Sequence, residues 1–243
     1  MYYLEFFLIT LVVSTFFAMG GVGSAVALVP IFNFLGINFL VAKTVALFIN
    51  TSTTVTATFM NFKRGVLDIK FALPLVVSSL IFAPVGAYSS KFINTLYVKY
   101  GFVAFLIFSA TIMLIPKRKS FDFSSNRWIL YLVGGVVGFV SGILGIGGGS
   151  LVMPLMILLG FDAKKMAIAV SFMVPFSTFS AFLSYISFVK VDWLLIFSTA
   201  VGAIIGGYLG NRIMHFRLDS KDIKRVIAIL LYLIAIKMVY SLV

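Results

Sequence analysis

The sequence has no cysteine, and its 243 residues include a single histidine, His215. Disulfides, thiolate metal sites and cysteine nucleophiles are thereby excluded. Carboxylates are nearly as scarce: Glu5, Asp68, Asp122, Asp162, Asp192, Asp219 and Asp222, each at the end of an apolar run or in a loop. Such a set leaves little for a histidine or carboxylate metal centre, so the sequence implies neither metal nor cofactor. Charge of either sign is rare, with 11% charged against 62% hydrophobic residues. A soluble domain carries about 25% charged and about 45–50% apolar residues, which excludes a water-soluble globule. About 20 apolar residues cross a bilayer as a helix. The chain therefore holds at most about ten crossings, without room for a soluble catalytic domain or a nucleic-acid module. The fold class expected is an all-α polytopic membrane protein with the lipid bilayer as its partner.

What charge there is leans basic, with 19 Lys and Arg against 7 Asp and Glu and a net charge of +12. The basic residues stand in short stretches between apolar runs, where membrane orientation explains them better than nucleic acid does. The apolar run Phe6–Phe17 lacks the basic start of a signal peptide and follows Glu5. It is expected to stay in the mature protein.

The chain is duplicated. A shift of 124 residues lays Gly21 on Gly145, Gly23 on Gly147, Pro30 on Pro154 and Gly36 on Gly160. It also pairs Thr53 with Ser177, Thr54 with Thr178, Thr56 with Ser180 and Asp68 with Asp192. After a four-residue gap Gly86-Ala87-Tyr88 falls on Gly206-Gly207-Tyr208. The expected organisation is a first membrane repeat at 1–115, a cytoplasmic linker at 116–127 and a second, inverted membrane repeat at 128–243. Each repeat reads as a long first segment (about 3–36 and 128–159) followed by three apolar helices. Those helices lie at about 41–62, 70–90 and 95–115, then at 163–188, 192–212 and 222–242. Both first segments carry a glycine cluster, Gly20-Gly21-Val22-Gly23 and Gly145-Ile146-Gly147-Gly148-Gly149. Each glycine disfavours a helix by about 1 kcal/mol relative to alanine, so the clusters break the segments.

Charge decides whether the chain continues across the membrane beyond each break or turns back. If each broken segment crossed once, the loop lysines and arginines would divide almost evenly between the two faces. If each folds back as a hairpin, one face collects Lys63, Arg64, Lys70, Lys117, Arg118, Lys119, Arg127, Lys164, Lys165, Arg212, Arg217, Lys221, Lys224 and Arg225. The other face keeps Lys43, Lys91, Lys99, Lys190 and Lys237. This bias names the cytoplasmic face. Each repeat then has about five helical passes, so the second is inverted relative to the first and both termini lie outside. The arm Ser24–Leu35 would reach about 18 Å, short of the roughly 30 Å hydrocarbon core, so the hairpins are expected to be partly re-entrant.

Two opposed turns should meet near the midplane, where inverted-repeat transporters place their substrate. Helices starting near Ser24 and Ser150 would aim their free N–H groups at that point, an arrangement that favours anions. On the next helix Asn50, Thr54, Thr58 and Asn61 share one face. Their counterpart carries Ser177, Thr178, Ser180, Ser184 and Ser187, with Pro175 freeing a carbonyl near Ser171. The spacings Gly134/Gly138/Gly142 and Gly202/Gly206/Gly210 read as helix packing. No carboxylate is evident inside an apolar run, which disfavours coupling through a buried acid. Divalent-metal or other cation passage remains the alternative transport reading. A receptor or scaffold, and an intramembrane serine hydrolase pairing Ser150 with His215, are the remoter ones; no enzyme is expected. A homo-oligomer is compatible with the sequence.

These residues resemble the sulfite exporter TauE/SafE family, on Gly21-Val22-Gly23-Ser24 with Pro30 and Gly36, and on Gly145-Ile146-Gly147-Gly148-Gly149-Ser150 with Pro154 and Gly160. Val191-Asp192-Trp193 and Gly206-Gly207-Tyr208 add to the match, which covers both halves. The resemblance implies transport of sulfite, organosulfonates or related sulfur-containing anions across the cytoplasmic membrane. The chain departs from symmetry, with Ser24-Ala25 facing Gly148-Gly149 and Asn50-Thr51 facing Val174-Pro175. The expected substrate site is Gly21, Gly23, Ser24, Asn50, Thr51 and Thr54 from the first half. The second half adds Gly147, Gly148, Gly149, Ser150, Ser171 and Thr178. Export of a small anion down the membrane potential is the expected activity.

Overall fold

The computed structural model describes residues 2–19, 23–114, 127–159, 161, 163–216 and 220–241, and helices are the only regular elements among them. In chain order they are α1 (Tyr2–Met19), α2 (Ala25–Phe34), α3 (Phe39–Lys63), α4 (Ile69–Ser89) and α5 (Thr95–Leu114). The second half continues with α6 (Trp128–Leu144), α7 (Gly149–Leu158), α8 (Ala163–Ile186), α9 (Trp193–Phe216) and α10 (Ser220–Tyr240). Helices α1, α3, α4, α5, α8 and α9 contain stretches long and apolar enough to cross a membrane. The long first segment of each half is split at its glycine cluster, and the remaining helices fall within a few residues of their expected bounds. Of the linker at 116–127, all but Arg127 lies outside the described residues.

Short polar side chains start the helices. Asn38 accepts from the Leu40 amide at 2.9 Å, and Asp68 from the Phe71 amide at 3.0 Å. Asp192, the repeat partner of Asp68, accepts from Leu194 at 2.9 Å and Leu195 at 3.3 Å. These two carboxylates are N-caps, which are worth about 1 kcal/mol each. Asp192 also accepts from the Tyr3 hydroxyl at 2.8 Å, a bond that holds its carboxyl below the usual range.

The tertiary contacts carry direction. Along α3 and α8 the partners run oppositely: the Phe48 ring meets Phe182 at a tilt, Thr51 meets Thr178, and Thr58 reaches Ser171. These helices, equivalent in the duplication, are therefore antiparallel. Along α4 and α8 the numbers rise together, from the Asp68–Lys165 ion pair to Ser184 on the Pro84 carbonyl. Phe6 of α1 meets Phe32 of α2 with ring centroids 5.0 Å apart. A helix running straight on would hold these residues about 39 Å apart at 1.5 Å per residue. The chain has turned back on itself between them.

Glycine sets the closest helix approaches. Gly134, Gly138 and Gly142 of α6 lie against Leu75, Ser79 and Ala83 of α4. Gly202, Gly206 and Gly210 of α9 lie against Phe7, Leu11 and Thr15 of α1. Both triplets are packing stripes, as their spacing indicates. Gly86, inside α4, presses on the backbone carbonyl of Phe139. Gly86→Ala should therefore lower stability by about 2–3 kcal/mol through overpacking. Gly101→Ala should leave it unchanged or raise it, since its added carbon would lie 3.6 Å from the end of the Leu144 side chain, an ordinary contact. Thermal unfolding of the two purified variants checks the pair, and equal melting would contradict the glycine account.

Candidate functional site

Asn50 is fully buried on α3 and touches both breaks in the helical segments. A carbon added at Gly23 would fall 2.5 Å from its Oδ1, and one added at Gly147 would fall 2.5 Å from its Nδ2. Only glycine lets two backbone turns close on one amide in this way. Gly147 has φ +74° and Gly145 φ +73°, the left-handed region in which a β-carbon is strained. Asn50 Nδ2 donates to the Ile146 carbonyl of the second turn at 3.4 Å, while its Oδ1 has no partner.

The helix starts flank this junction. Ser24, the N-cap of α2, makes no side-chain cap bond, and its Oγ is buried without a partner. Ser150, in the first turn of α7, is 5% exposed and also has an unpartnered Oγ. The first amides of a helix have no acceptor within it. Burying such groups unpaired costs roughly 1–3 kcal/mol each; both turns carry such orphans, as do Thr10 and Ser14 of α1 and Ser109 of α5.

The hydroxyls sort into two groups. Thr51 and Thr178 form a 2.7 Å hydrogen bond across the α3/α8 crossing, and the Thr178 methyl packs on Gly147. Thr54 donates to the Asn50 carbonyl at 2.6 Å. Ser171 stands apart, accepting from Asn61 Nδ2 at 2.9 Å and donating to the Ile168 carbonyl at 2.7 Å. Thr58 donates to the Ser171 carbonyl at 2.7 Å. That group ties α3 to α8 seven residues from Thr178, away from the turns. The structure thus brings together Gly23, Asn50, Thr51, Gly147 and Thr178, with Thr54 bonded to the Asn50 backbone and Ser24 and Ser150 on the adjoining helix starts. Gly148 and Gly149 are buried against Met173 and Val174 of α8. Gly21 and the His215 side chain lie outside the described residues.

Lys43 corrects the sequence reading. Counted there among the basic residues of one membrane face, it is fully buried within α3. Its Nζ donates to Tyr185 Oη at 2.8 Å, to the Ile143 carbonyl at 3.0 Å and to Ser90 Oγ at 3.3 Å. Tyr185 Oη also lies 3.0 Å from the Gly142 carbonyl, so the open end of α6 is capped from two helices. Lys43 stands two helical turns before Asn50 inside the apolar run Phe39–Ile49, and that spacing is the signal that could have found it.

A cavity of about 580 Å³ opens between α3, α4 and α8, reaching from Thr51 and Pro175 to Phe62 and Leu67. Its walls are apolar apart from the hydroxyls of Thr51, Thr58 and Ser180. A desolvated anion finds too few donors there, whereas the glycine turns carry the unpartnered Ser24 and Ser150 hydroxyls. No cluster of three or more His, Cys, Asp or Glu exists among the described residues.

Comparison with known proteins identifies relatives of the chain. Residues 6–238 match the family described as Sulfite exporter TauE/SafE. The chain is 28% identical to "Probable membrane transporter protein YunE" of Bacillus subtilis (strain 168), with 95% of each protein covered. It is 26% identical to a second probable membrane transporter protein, from Methanocaldococcus jannaschii, over 69% of this chain and 66% of that one. No solved structure matches.

Proposed function

The chain belongs to the sulfite exporter TauE/SafE family and is a membrane transporter, and from that premise we propose that it exports a small sulfur oxyanion or organosulfonate through the junction of its two glycine turns. The observation that carries this reading is Asn50, wedged between Gly23 and Gly147 with unpartnered polar atoms around it. Backbone amides at the starts of α2 and α7, the Ser24 and Ser150 hydroxyls and the Asn50 amide would form the anion's shell. Such neutral donors hold an anion without a carboxylate or a metal.

The protein works as two inverted repeats, 1–115 and 128–243, joined by a cytoplasmic linker at 116–127. The antiparallel crossing of α3 and α8 supports this reading. Had each broken segment crossed once, equivalent helices would run parallel. The Phe6–Phe32 contact supports a partly re-entrant hairpin in the first half. With Lys43 removed from the surface count, the basic bias toward one face grows, which supports both termini outside in the cell membrane. Parting α3 from α8 at the Thr51–Thr178 bond on one side, then the other, would expose the junction alternately.

A monoanion leaving a cell that is negative inside gains about 2.3 kcal/mol per 100 mV. In proteoliposomes, sulfite or sulfonate efflux should therefore quicken when an anion-expelling potential is imposed. The same anions should raise the melting temperature of the purified protein. Efflux indifferent to potential would remove the driving force, and stabilisation by divalent cations instead would favour cation passage.

A further inference from the structure

Lys43 places a basic nitrogen deep in the fold, with no carboxylate partner among the described residues. Its three ammonium hydrogens meet neutral oxygens, those of Tyr185, Ile143 and Ser90. The rings of Tyr185 and Phe39 complete its surroundings at 4.9 and 5.5 Å. Among the described residues no carboxylate forms an ion pair with it; Asp68 pairs with Lys165, and Asp192 binds Tyr3. A buried charge without a partner is expensive. Capping α6 requires donors and not a charge: the single Tyr185 hydroxyl hydrogen serves the Gly142 or Ile143 carbonyl, and a neutral amine at Lys43 would serve Ile143 as well.

The Lys43 side chain lies along the second glycine turn, with its stem at Gly145 and its nitrogen at Ile143. Gly145 rests on the Lys43 stem, where an added carbon would lie 2.5 Å from Lys43 Cβ, and Gly147 rests on Asn50. Lys43 donates to the Ile143 carbonyl and Asn50 to the Ile146 carbonyl. Seven residues return to nearly the same helical face, about 10 Å further along. Residues 143–147 thus lie along one face of α3, with the ammonium at one end and the orphaned junction at the other. The duplication has no second copy of this arrangement, because Ala167 and Val174 stand 124 residues after Lys43 and Asn50.

We propose that Lys43 is the charge-selecting residue of the junction: its field, not its contact, makes the site choose anions and favours dianions over monoanions. This inference rests on the anion reading above. In a water-excluded interior, unit charges about 10–15 Å apart still interact appreciably, and the interaction doubles for a divalent partner.

The test is binding of methanesulfonate, a monoanion, and thiosulfate, a dianion, to purified full-length protein by titration calorimetry, with melting temperature as the fold control. Lys43→Met should weaken methanesulfonate roughly tenfold and thiosulfate roughly a hundredfold. Lys43→Arg should stay within about threefold of the parent protein for both. If Lys43→Met does not fold, Lys43→Gln, whose amide still donates to the Ile143 carbonyl, carries the same comparison. Equal losses for the two anions, or none, would overturn the role of Lys43 while leaving the anion site standing. A parent protein that binds neither anion would overturn the anion reading itself.

Discussion

Asn50→Leu is expected to cut anion flux at least roughly a hundredfold while the protein still folds and reaches the membrane. A site built from hydrogen-bonding groups loses most when one is replaced by hydrocarbon, because the remaining polar atoms are then left unpaired. Asn50 is the side chain shared by both turns, in contact with Gly23 and Gly147 and bonded to Ile146. Leucine is close to it in volume, so the packing cost is small. The Ile146 carbonyl loses its donor, for a stability loss of about 1–3 kcal/mol. Asn50→Asp separates chemistry from shape, since it keeps the outline but brings a negative charge to an anion's place. It should be at least as inactive as the leucine variant. Flux in proteoliposomes alongside thermal unfolding checks both, and unchanged flux in Asn50→Leu would remove the junction from the transport path.

The second large effect is expected at Gly147. A left-handed backbone costs an L-residue roughly 1–2 kcal/mol, and Gly147 has φ +74°. An added carbon there also runs into the Thr178 methyl and the Asn50 amide. Overpacking adds about 1–3 kcal/mol, so Gly147→Ala should lose about 2–5 kcal/mol of stability and nearly all transport. Gly149→Ala is the comparison. Its φ is ordinary, and its new carbon would meet only the ends of side chains, a Val174 methyl at 2.7 Å and a Val170 methyl at 3.3 Å, so its loss should be the overpacking part alone, about 1–3 kcal/mol. Pairing Gly147→Ala with Asn50→Ala should recover part of the melting temperature but no flux. Recovery of flux would mean that the turn matters only as packing.

Much of this architecture was legible because it depends on periodic or repeated features. The duplicated glycine clusters located the broken segments, and the Gly134/Gly138/Gly142 spacing identified a packing stripe that the contacts with α4 bear out. The hydroxyls were harder to sort. Thr54, Thr58 and Asn61 share a face with Asn50, yet Thr58 and Asn61 bond to Ser171 and not to the turns. Helical periodicity places residues on a face but does not say what the neighbouring helix puts opposite each level. The Thr51–Thr178 bond likewise depends on the register of an antiparallel crossing, which no local signal encodes. Charge counting misplaces Lys43 because it assumes that lysines seek water. Here Tyr185, Ser90 and the Ile143 carbonyl replace water as acceptors.

The unlike linings of the two halves bear on the resting state. A transporter made of identical halves could exchange their conformations at no cost, so its inward and outward forms would be equally populated. Here Lys43 and Asn50 answer to Ala167 and Val174 in the duplicate, so the exchange does not return the same set of bonds. If the halves exchange conformations as proposed, the two forms would differ in free energy, and the unloaded carrier would rest with its door biased to one side of the membrane.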